Sequence, residues 1–417
     1  MPRSFTFIDL FAGAGGLSEG FTRAGFMPVA HVEMNPHACE TLLTRSCFYY
    51  LSETIEDADL YKRYLNGEVS KESFRSLIPE SVKSSVICET MSPDSLPGIF
   101  RRIDAQMKLD HVRKIDVVIG GPPCQAYSIA GRSRKDMSDD PRNNLYLLYL
   151  EFLKRYRPKL FVFENVQGIT TAANGFYFED MKKRSRDCGY SLEARLLNAE
   201  DYGVLQKRKR MILIGVRNDV LKNRDFPFPR PIFVNDDFVV NDLLSDLPRL
   251  NPGQSANRYL TPPTDYLLKT GIRKPDDVLT WHIARPLNAH DAVIYNMAIQ
   301  HWNENHRVLS YDQYPDGLKT HANQIDFLDR FKVVPGNESA CQTMVAHIAK
   351  DGHYYIHPDI NQCRSITVRE AARIQSFPDD FFFEGPRTSA FTQIGNAVPP
   401  LLAYQVALFV NKYLMSK

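Results

Sequence analysis

Short apolar runs alternate with longer stretches whose apolar positions recur every three or four residues through the first half of the chain. That rhythm predicts a parallel α/β sheet. The runs place strands at Phe5–Leu10, Pro28–Val32, Val117–Gly120, Leu160–Glu164 and Met211–Val216. Between the third and fourth, NNLYLLYLEFLKRY (Asn143–Tyr156) covers one helix face with apolar side chains and stops before Pro158. Residues from about 44 to 115 lengthen one crossover. Within it Ser52–Val82 is charged and helix-compatible, and reads as a surface insertion without chemistry.

The rhythm breaks after the last of these strands. PFPRPIF (Pro227–Phe233) has three prolines in seven residues, an extended linker because proline fixes φ and removes a donor. Beyond it the chain is rich in Asn, His, Asp and Pro, and helix signals return in TVREAARIQSF and PLLAYQVALFVNKYL. The division that follows is a first domain over 1–226, completed by 392–417, and a smaller second domain over 227–391.

Composition narrows the classes without choosing one. With 43% hydrophobic and 24% charged residues among 417, the chain is globular and neither disordered nor fibrous. Lys plus Arg (51) nearly cancel Asp plus Glu (49), so a nucleic-acid partner would need a local basic face. Residues 182–230 supply one, with thirteen Lys/Arg against six Asp/Glu. The N-terminal MPRSFTFIDLF has too short an apolar stretch for a secretory signal, and no run has the length of a membrane span. The seven cysteines are scattered, odd in number and without a CxxC pair, which points to a reducing cytoplasm.

Two segments carry candidate chemistry. FTFIDLFAGAGG (Phe5–Gly16) is a strand running into a glycine turn that opens a helix, so backbone amides can approach a ligand closely. Glu33 ends the next strand, where an acid can accept both hydroxyls of a ribose. The pattern is not GxGxxG, and S-adenosylmethionine fits it as well as a dinucleotide does. DVVIGGPPCQAYS (Asp116–Ser128) is a buried-type strand followed by Gly-Gly-Pro-Pro and then Cys124, a stiff turn that would hold a thiol at one point above the sheet edge. Most free cysteines are small buried hydrophobes, but a Pro-Pro presentation suits a nucleophile better.

Taken together, DLFAGAGG and GGPPCQAYS resemble the DNA (cytosine-5) methyltransferases of bacterial restriction–modification systems. Four more motifs follow in that family's order: Phe163-Glu164-Asn165-Val166, Gln206-Lys207-Arg208-Lys209-Arg210, RSITVREAARIQSFPDDF (Arg364–Phe381) and Ile394-Gly395-Asn396-Ala397-Val398-Pro399-Pro400. The resemblance implies a Rossmann-like S-adenosylmethionine-dependent methyltransferase domain with a smaller target-recognition domain. It also implies S-adenosylmethionine as cofactor, held by Asp9, Phe11, Ala12, Gly13, Gly15, Gly16, Leu17, Glu33, Met34, Pro122, Asn396 and Ala397. For the adenine amino group the segment Val86–Ser95 offers Glu89, Thr90 or Asp94.

The chemistry asks for these residue types. Cytosine C5 is a poor nucleophile until a thiolate, here Cys124, adds to C6. A buried carboxyl with a raised pKa, Glu164, can hold N3, and a cation, Arg210 with Arg208 beside it, can face the charge developing at O2 and N3. The C5 proton is left to water. The target lies inside a duplex and must be flipped out. The polar stretch after Cys124 reads as a loop closing over double-stranded DNA, with Gln125, Ser128, Arg132, Arg134 and Arg142 as contacts. HWNENH (301–306) and HYYIH (353–357) lack a third ligand, so no metal is expected and base or phosphate contacts are read instead. A tRNA cytosine methyltransferase would carry a Cys-Phe-Thr signature that this chain lacks. A non-catalytic DNA-binding relative would not need Cys124, Glu164 and Arg210 intact, and a dinucleotide-dependent oxidoreductase is disfavoured by the glycine pattern. A monomer, acting beside a cognate restriction endonuclease, completes the expectation.

Overall fold

A computed structural model describes residues 4–53, 59–122, 145–222, 225–231, 237–321, 323 and 325–416. Seven strands, β1 (Thr6–Leu10), β2 (Met27–Glu33), β3 (Val86–Cys88), β4 (Val117–Gly120), β5 (Leu160–Asn165), β6 (Tyr190–Asn198) and β7 (Lys209–Arg217), form one sheet in the order β3-β2-β1-β4-β5-β7-β6. β1 to β5 run parallel, and β7 lies antiparallel to both β5 and β6. All five predicted strands are present, most with slightly longer bounds. β3 and β6 are additional: three residues are too few for a pattern, and the charged edge strand β6 lacks a clean alternation.

β1 (TFIDL) and β4 (VVIG) are buried along their whole length, as strands covered on both faces must be. Alternation assigns the faces. Phe7, Val117, Ile119, Leu160 and Val162 join one hydrophobic cluster with α1 (Gly16–Arg23), while Ile8, Leu10, Val118, Phe161 and Phe163 join another. The second cluster is covered by α6 (Leu96–Leu109), α7 (Leu145–Tyr156) and α8 (Phe176–Asp187). On the first face α1 is held by α14 (Pro400–Met415). A Cβ added at Gly20 would lie 2.4 Å from that of Ala403, and one at Gly16 would lie 2.2 Å from the Val398 carbonyl oxygen. The final helix therefore seats on the first through two positions where only glycine fits, which brings residues 395–400 beside the glycine turn.

The stretch 44–115 is not one lengthened crossover. It completes α2 (Pro36–Glu53), adds α3 (Leu60–Leu65), α4 (Lys71–Ser76) and α5 (Glu80–Lys83), and then supplies β3 and α6. Its three short helices build a small cluster around Phe74 and bond to the distant segment 380–384. Tyr61 donates to the Asp380 carbonyl at 2.7 Å, and Tyr64 and Lys71 reach the Glu384 carboxylate.

After β7 come the short α9 (Asn218–Leu221) and α10 (Asp265–Thr270), and between 227 and 391 the longest helix is α11 (Ala289–Asn305), whose Ile294, Tyr295 and Ile299 pack with Tyr311, Phe331 and Ile356 in a cluster of their own. After it, α12 (Val368–Ile374) and α13 (Arg387–Asn396) lead back to the sheet. Ile366, Ala371, Phe377 and Phe381 share the hydrophobic cluster of α1 and α14. α12 is stitched in by charge. Arg373 pairs with Asp246 and Asp379, Arg364 with Glu370, and all five side chains are essentially inaccessible. Buried pairs of this kind gain little over apolar residues but are costly to break, about 3–5 kcal/mol when one partner is removed.

Two buried histidines set an acid limit. Burial pushes both His31 and His357 down to about 4. Their folded values lie below the ordinary value near 6.5, so the unfolded chain takes up protons first. Stability is then lost as pH falls from about 6.5 to 4, at about 1.4 kcal/mol per pH unit for each histidine. His31→Leu should remove one such slope in urea titrations across that range. An unchanged slope would show that His31 titrates normally.

Candidate active site

The strand order reverses at β1 and β4, so the loops leaving their carboxyl ends diverge and open a crevice, the usual ligand position in such sheets. Both sequence segments singled out for chemistry leave the sheet there. After β1, Phe11 and Gly13 take positive φ of 57°, and Gly15 takes 86°. A side chain on Gly13 would meet nothing within 4 Å, so the turn presents bare backbone to open space. Glu33 fixes this turn: its Oε2 accepts from the Gly13 amide and its Oε1 from the Asn35 amide, both at 2.8 Å. Met34 is exposed next to it, and Cys88, Glu89 and Thr90 stand exposed at the end of the neighbouring β3. Asp94 is exposed as well.

The other residues expected around a cofactor divide by orientation. Ala12 is half-buried and Asn396 exposed. Asp9 and Leu17 are turned inward. Leu17 packs in the core, and Asp9 accepts the Ser18 hydroxyl at 2.5 Å inside the sheet, where burial pushes its carboxyl up to about 8. Gly16 and Ala397 are buried in the contact between α1 and the approach to α14. Pro122 is buried, and its carbonyl accepts from Asn165 Nδ2 at 3.4 Å.

β4 continues into Gly121 and Pro122. Cys124 and the proposed DNA contacts Gln125, Ser128, Arg132, Arg134 and Arg142 lie outside the described residues. What stands beside the start of that turn is clear. Phe163 pairs with Gly120, so Glu164 emerges one residue beyond, and a Cβ on Gly121 would lie 2.6 Å from Glu164 Oε2. β7 delivers the cation: Glu164 pairs with Ile212, and Arg210 Nε lies 2.8 Å from Glu164 Oε1. Burial pushes the Glu164 carboxyl up and the Arg210 guanidinium down, so desolvation outweighs their mutual attraction. The sheet holds this pair together against its own solvation cost, the usual sign of a site kept for chemistry.

Arg208, expected beside Arg210 in the same role, has another set of partners. It is fully buried, and its guanidinium donates to the carbonyls of Met344, Gly395 (3.0 Å) and Ala397 (2.8 Å). The backbone alternates direction along β7, so residues two apart share a face, but Arg208 precedes the strand and its side chain runs into the closing Gly395–Ala397 turn. Gln206 does the same work. It accepts from the Met344 amide at 2.7 Å and donates to the Ile374 carbonyl at 3.1 Å.

In front of Arg210 a cavity of about 430 Å³ is lined by Gln167, Asn198, Glu200, Lys207, Lys209 and Thr343. Lys207 and Lys209 are exposed there, and the Asn198 side-chain oxygen is buried without a partner. Neither Asn198 nor Thr343 carries a local signal in the sequence: Asn198 enters through the pairing of β6 with β7, and Thr343 from a segment more than a hundred residues away. Among the histidines read as base or phosphate contacts, His357 is buried 3.7 Å from Glu370 and belongs to the ionic network around α12.

The family model for C-5 cytosine-specific DNA methylases matches residues 5–69 and 98–411. The chain belongs to that family. The unmatched stretch falls on α4, α5 and β3. The methylase is 41% identical to Type II methyltransferase M.Bpa9945I of Bacillus paralicheniformis, over 97% of this chain and 98% of the relative. It is 31% identical to M1.HphI of Haemophilus parahaemolyticus, over 98% and 87%. Among solved structures, an Escherichia coli prophage-encoded DNA modification methyltransferase superposes with a TM-score of 0.64 at 23% identity, over 99% of both chains, and shares the fold. The protein is thus a DNA (cytosine-5-)-methyltransferase of the restriction–modification type.

The Gly121 contact yields a prediction for this methylase. Gly121→Ala places a methyl group against the Glu164 carboxylate, which Arg210 already holds from the other side. Displacing a catalytic group by about 1 Å can cost on the order of 100-fold in rate. We expect a loss of that size in kcat, with an unchanged denaturation midpoint. A variant with wild-type kcat would show that the carboxylate moves freely.

Proposed function

We propose that this methylase takes its methyl group from S-adenosylmethionine and transfers it to a flipped-out cytosine held covalently by Cys124. The observation that carries the reading is the placement of Glu164 and Arg210 at adjoining strand ends, in contact with the glycine from which the Cys124 turn departs.

The crevice suits the cofactor. The open backbone at Gly13 and the carboxylate of Glu33 support a nucleoside with hydroxyls near the end of β2, and exposed Glu89, Thr90 and Asp94 are within the adjoining segment for its base. When bound, S-adenosylmethionine supplies an electrophilic methyl group on a sulfonium. The chain does the rest. The Cys124 sulfur adds to C6 of the cytosine, and the protonated Glu164 donates a hydrogen bond to N3, which takes up the electron pair displaced from the ring. Arg210 faces the negative charge spread over O2 and N3. C5 then carries the electron density needed to attack the methyl group. Loss of the C5 proton to water returns the pair to the ring and expels the Cys124 thiolate. Arg208 serves as a positioning residue, tying the Met344 and Gly395–Ala397 backbone to the strand that bears Arg210.

The segment 125–142, with Arg132, Arg134 and Arg142, is proposed to close over double-stranded DNA. Exposed Lys207 and Lys209 extend that basic face. The separate cluster within 287–363 supports a target-recognition unit inside 227–391, and 392–417 completes the catalytic unit through α14, while parts of 228–272, 334–355 and 366–391 share its core. Among the described residues no helix is long and apolar enough to cross a membrane. A cytoplasmic monomer, sharing its target sequence with a restriction endonuclease, is the setting we propose.

Bisulfite sequencing of plasmid from a host without cytosine-5 methylation tests the reading. Expression of the wild-type chain should protect cytosines within one short sequence. A fully converted plasmid beside soluble, S-adenosylmethionine-binding protein would overturn it.

A further inference from the structure

A second cavity, of about 280 Å³, lies in the 227–391 region. At roughly 30 Å³ per water it has room for a phosphate group and several waters. Three cations line it: Arg285, which is nine-tenths buried, Lys350 and Arg387. Among the described residues no carboxylate pairs with any of the three, whereas the buried arginines of the α12 network, Arg364 and Arg373, each have one. Arg285 spends one guanidinium nitrogen on the Ile348 carbonyl, and its Nε is buried without a partner. Burial, then the charge of Arg387, push it down to about 10 against the partial attraction of Asp351, and it stays charged. Two carboxylates, Asp291 and Asp351, also line the cavity, so the three cations outnumber them by one. Asp291 accepts from Asn288 and lies against His290, and Asp351 accepts the His353 amide.

Position argues for the anion's identity. Thr343 lines the cavity in front of Arg210, and Lys350 follows seven residues later. Even fully extended, that segment spans about 25 Å, and it is shortened by the helical turn Ala346–Ala349, which packs on α13. A duplex presents a phosphate on each strand for every 3.4 Å of its axis, so several fall within this reach of the target base. Arginine forks are suited to phosphate oxygens.

Resting on the assignment of DNA as substrate, we propose that Arg285, Lys350 and Arg387 form a pocket that grips one backbone phosphate of the DNA away from the flipped cytosine. The pocket contributes affinity and register and takes no part in methyl transfer.

The test uses the full-length enzyme and a duplex containing the sequence mapped by bisulfite sequencing. Each phosphate is replaced in turn by an uncharged methylphosphonate. Wild-type binding should weaken about tenfold or more at one phosphate flanking the target. In the Lys350→Gln/Arg387→Gln variant that position should become silent, and the slope of log K against log salt should drop by about 1–2. kcat at saturating DNA should be unchanged. Arg285→Lys, which keeps the charge but loses the fork, should give an intermediate profile and guards against misfolding of the double variant. An unchanged methylphosphonate profile and salt slope would overturn the proposal. So would inorganic phosphate protecting the wild type against heat while DNA binding ignores the substitutions, because the pocket would then serve a free anion. If the wild type neither binds nor methylates the duplex, the substrate assignment has failed instead.

Discussion

Cys124→Ala should abolish methyl transfer, with a rate loss of about 10⁴-fold or more, the scale seen when a covalent nucleophile is removed. The reason lies in the substrate. Without an adduct at C6, cytosine C5 remains part of an aromatic ring and has too little electron density to attack a methyl group. No neighbouring side chain can substitute, because the requirement is a bond and not a field. Single-turnover transfer of labelled methyl groups reads the rate. DNA with 5-fluorocytosine at the target reads the bond, since a C5 fluorine cannot leave as a proton does and the adduct stays trapped. Wild-type enzyme should migrate with such DNA under denaturing conditions, and Cys124→Ala should not. Methyl transfer surviving in the variant would remove the covalent route, whereas loss of S-adenosylmethionine binding would indicate damage to the turn.

Glu164→Gln should lower kcat by about 10²–10⁴-fold, the range for a positioned proton donor. Glutamine preserves an acceptor for Arg210 Nε, so the 2.8 Å contact can persist while the acidic proton is lost. The pH behaviour separates the two roles. Burial raises the Glu164 carboxyl above the ordinary glutamate value. Its protonated form, the one that can donate to N3, is therefore present below that raised value and lost as pH rises through it. The wild-type rate should fall on that limb, and the Gln variant should be flat across it. Stability follows the same sign. A raised folded value means this group stabilises the fold at low pH and costs stability once ionised, so the variant should be at least as stable at neutral pH. A variant with near-wild-type kcat, or one retaining the same pH limb, would assign the proton to another group.

How far these residues could be read from the chain depends on how local their signals are. β1, β4 and β5 are short apolar runs bounded by glycine, proline or a charge, and each boundary lies within a few residues of the run it ends. Glu33, Glu164 and the Gly-Gly-Pro-Pro turn follow such runs directly, so their place at strand ends was legible before any fold was known. β3 and β6 were not, because short and edge strands are defined mainly by the neighbours they pair with. The same limit hid the crossover error at 44–115, where three residues of strand sit inside a long helical stretch.

Charge was the least readable property. In the sequence Arg208 belongs to the basic stretch 182–230 and nothing marks Arg364, Arg369 or Arg373 as buried, yet all four are among the most completely buried side chains described. Burial of an arginine depends on partners that can satisfy its fork. For these four the partners are Asp246, Asp379, Glu370 and the carbonyls of Met344, Gly395 and Ala397, mostly remote in sequence. By itself, then, the sequence determined the parallel strands of the sheet, the glycine turn and the acids at the ends of β2 and β5, since each is written in consecutive residues. Only the tertiary structure decided that Arg208 turns away into the Gly395–Ala397 backbone, that Thr343 joins Asn198 at the cavity, and that Arg285, Lys350 and Arg387 converge. Those arrangements are set by contacts between segments up to nearly two hundred residues apart, and the energy that favours them exists only once those segments meet.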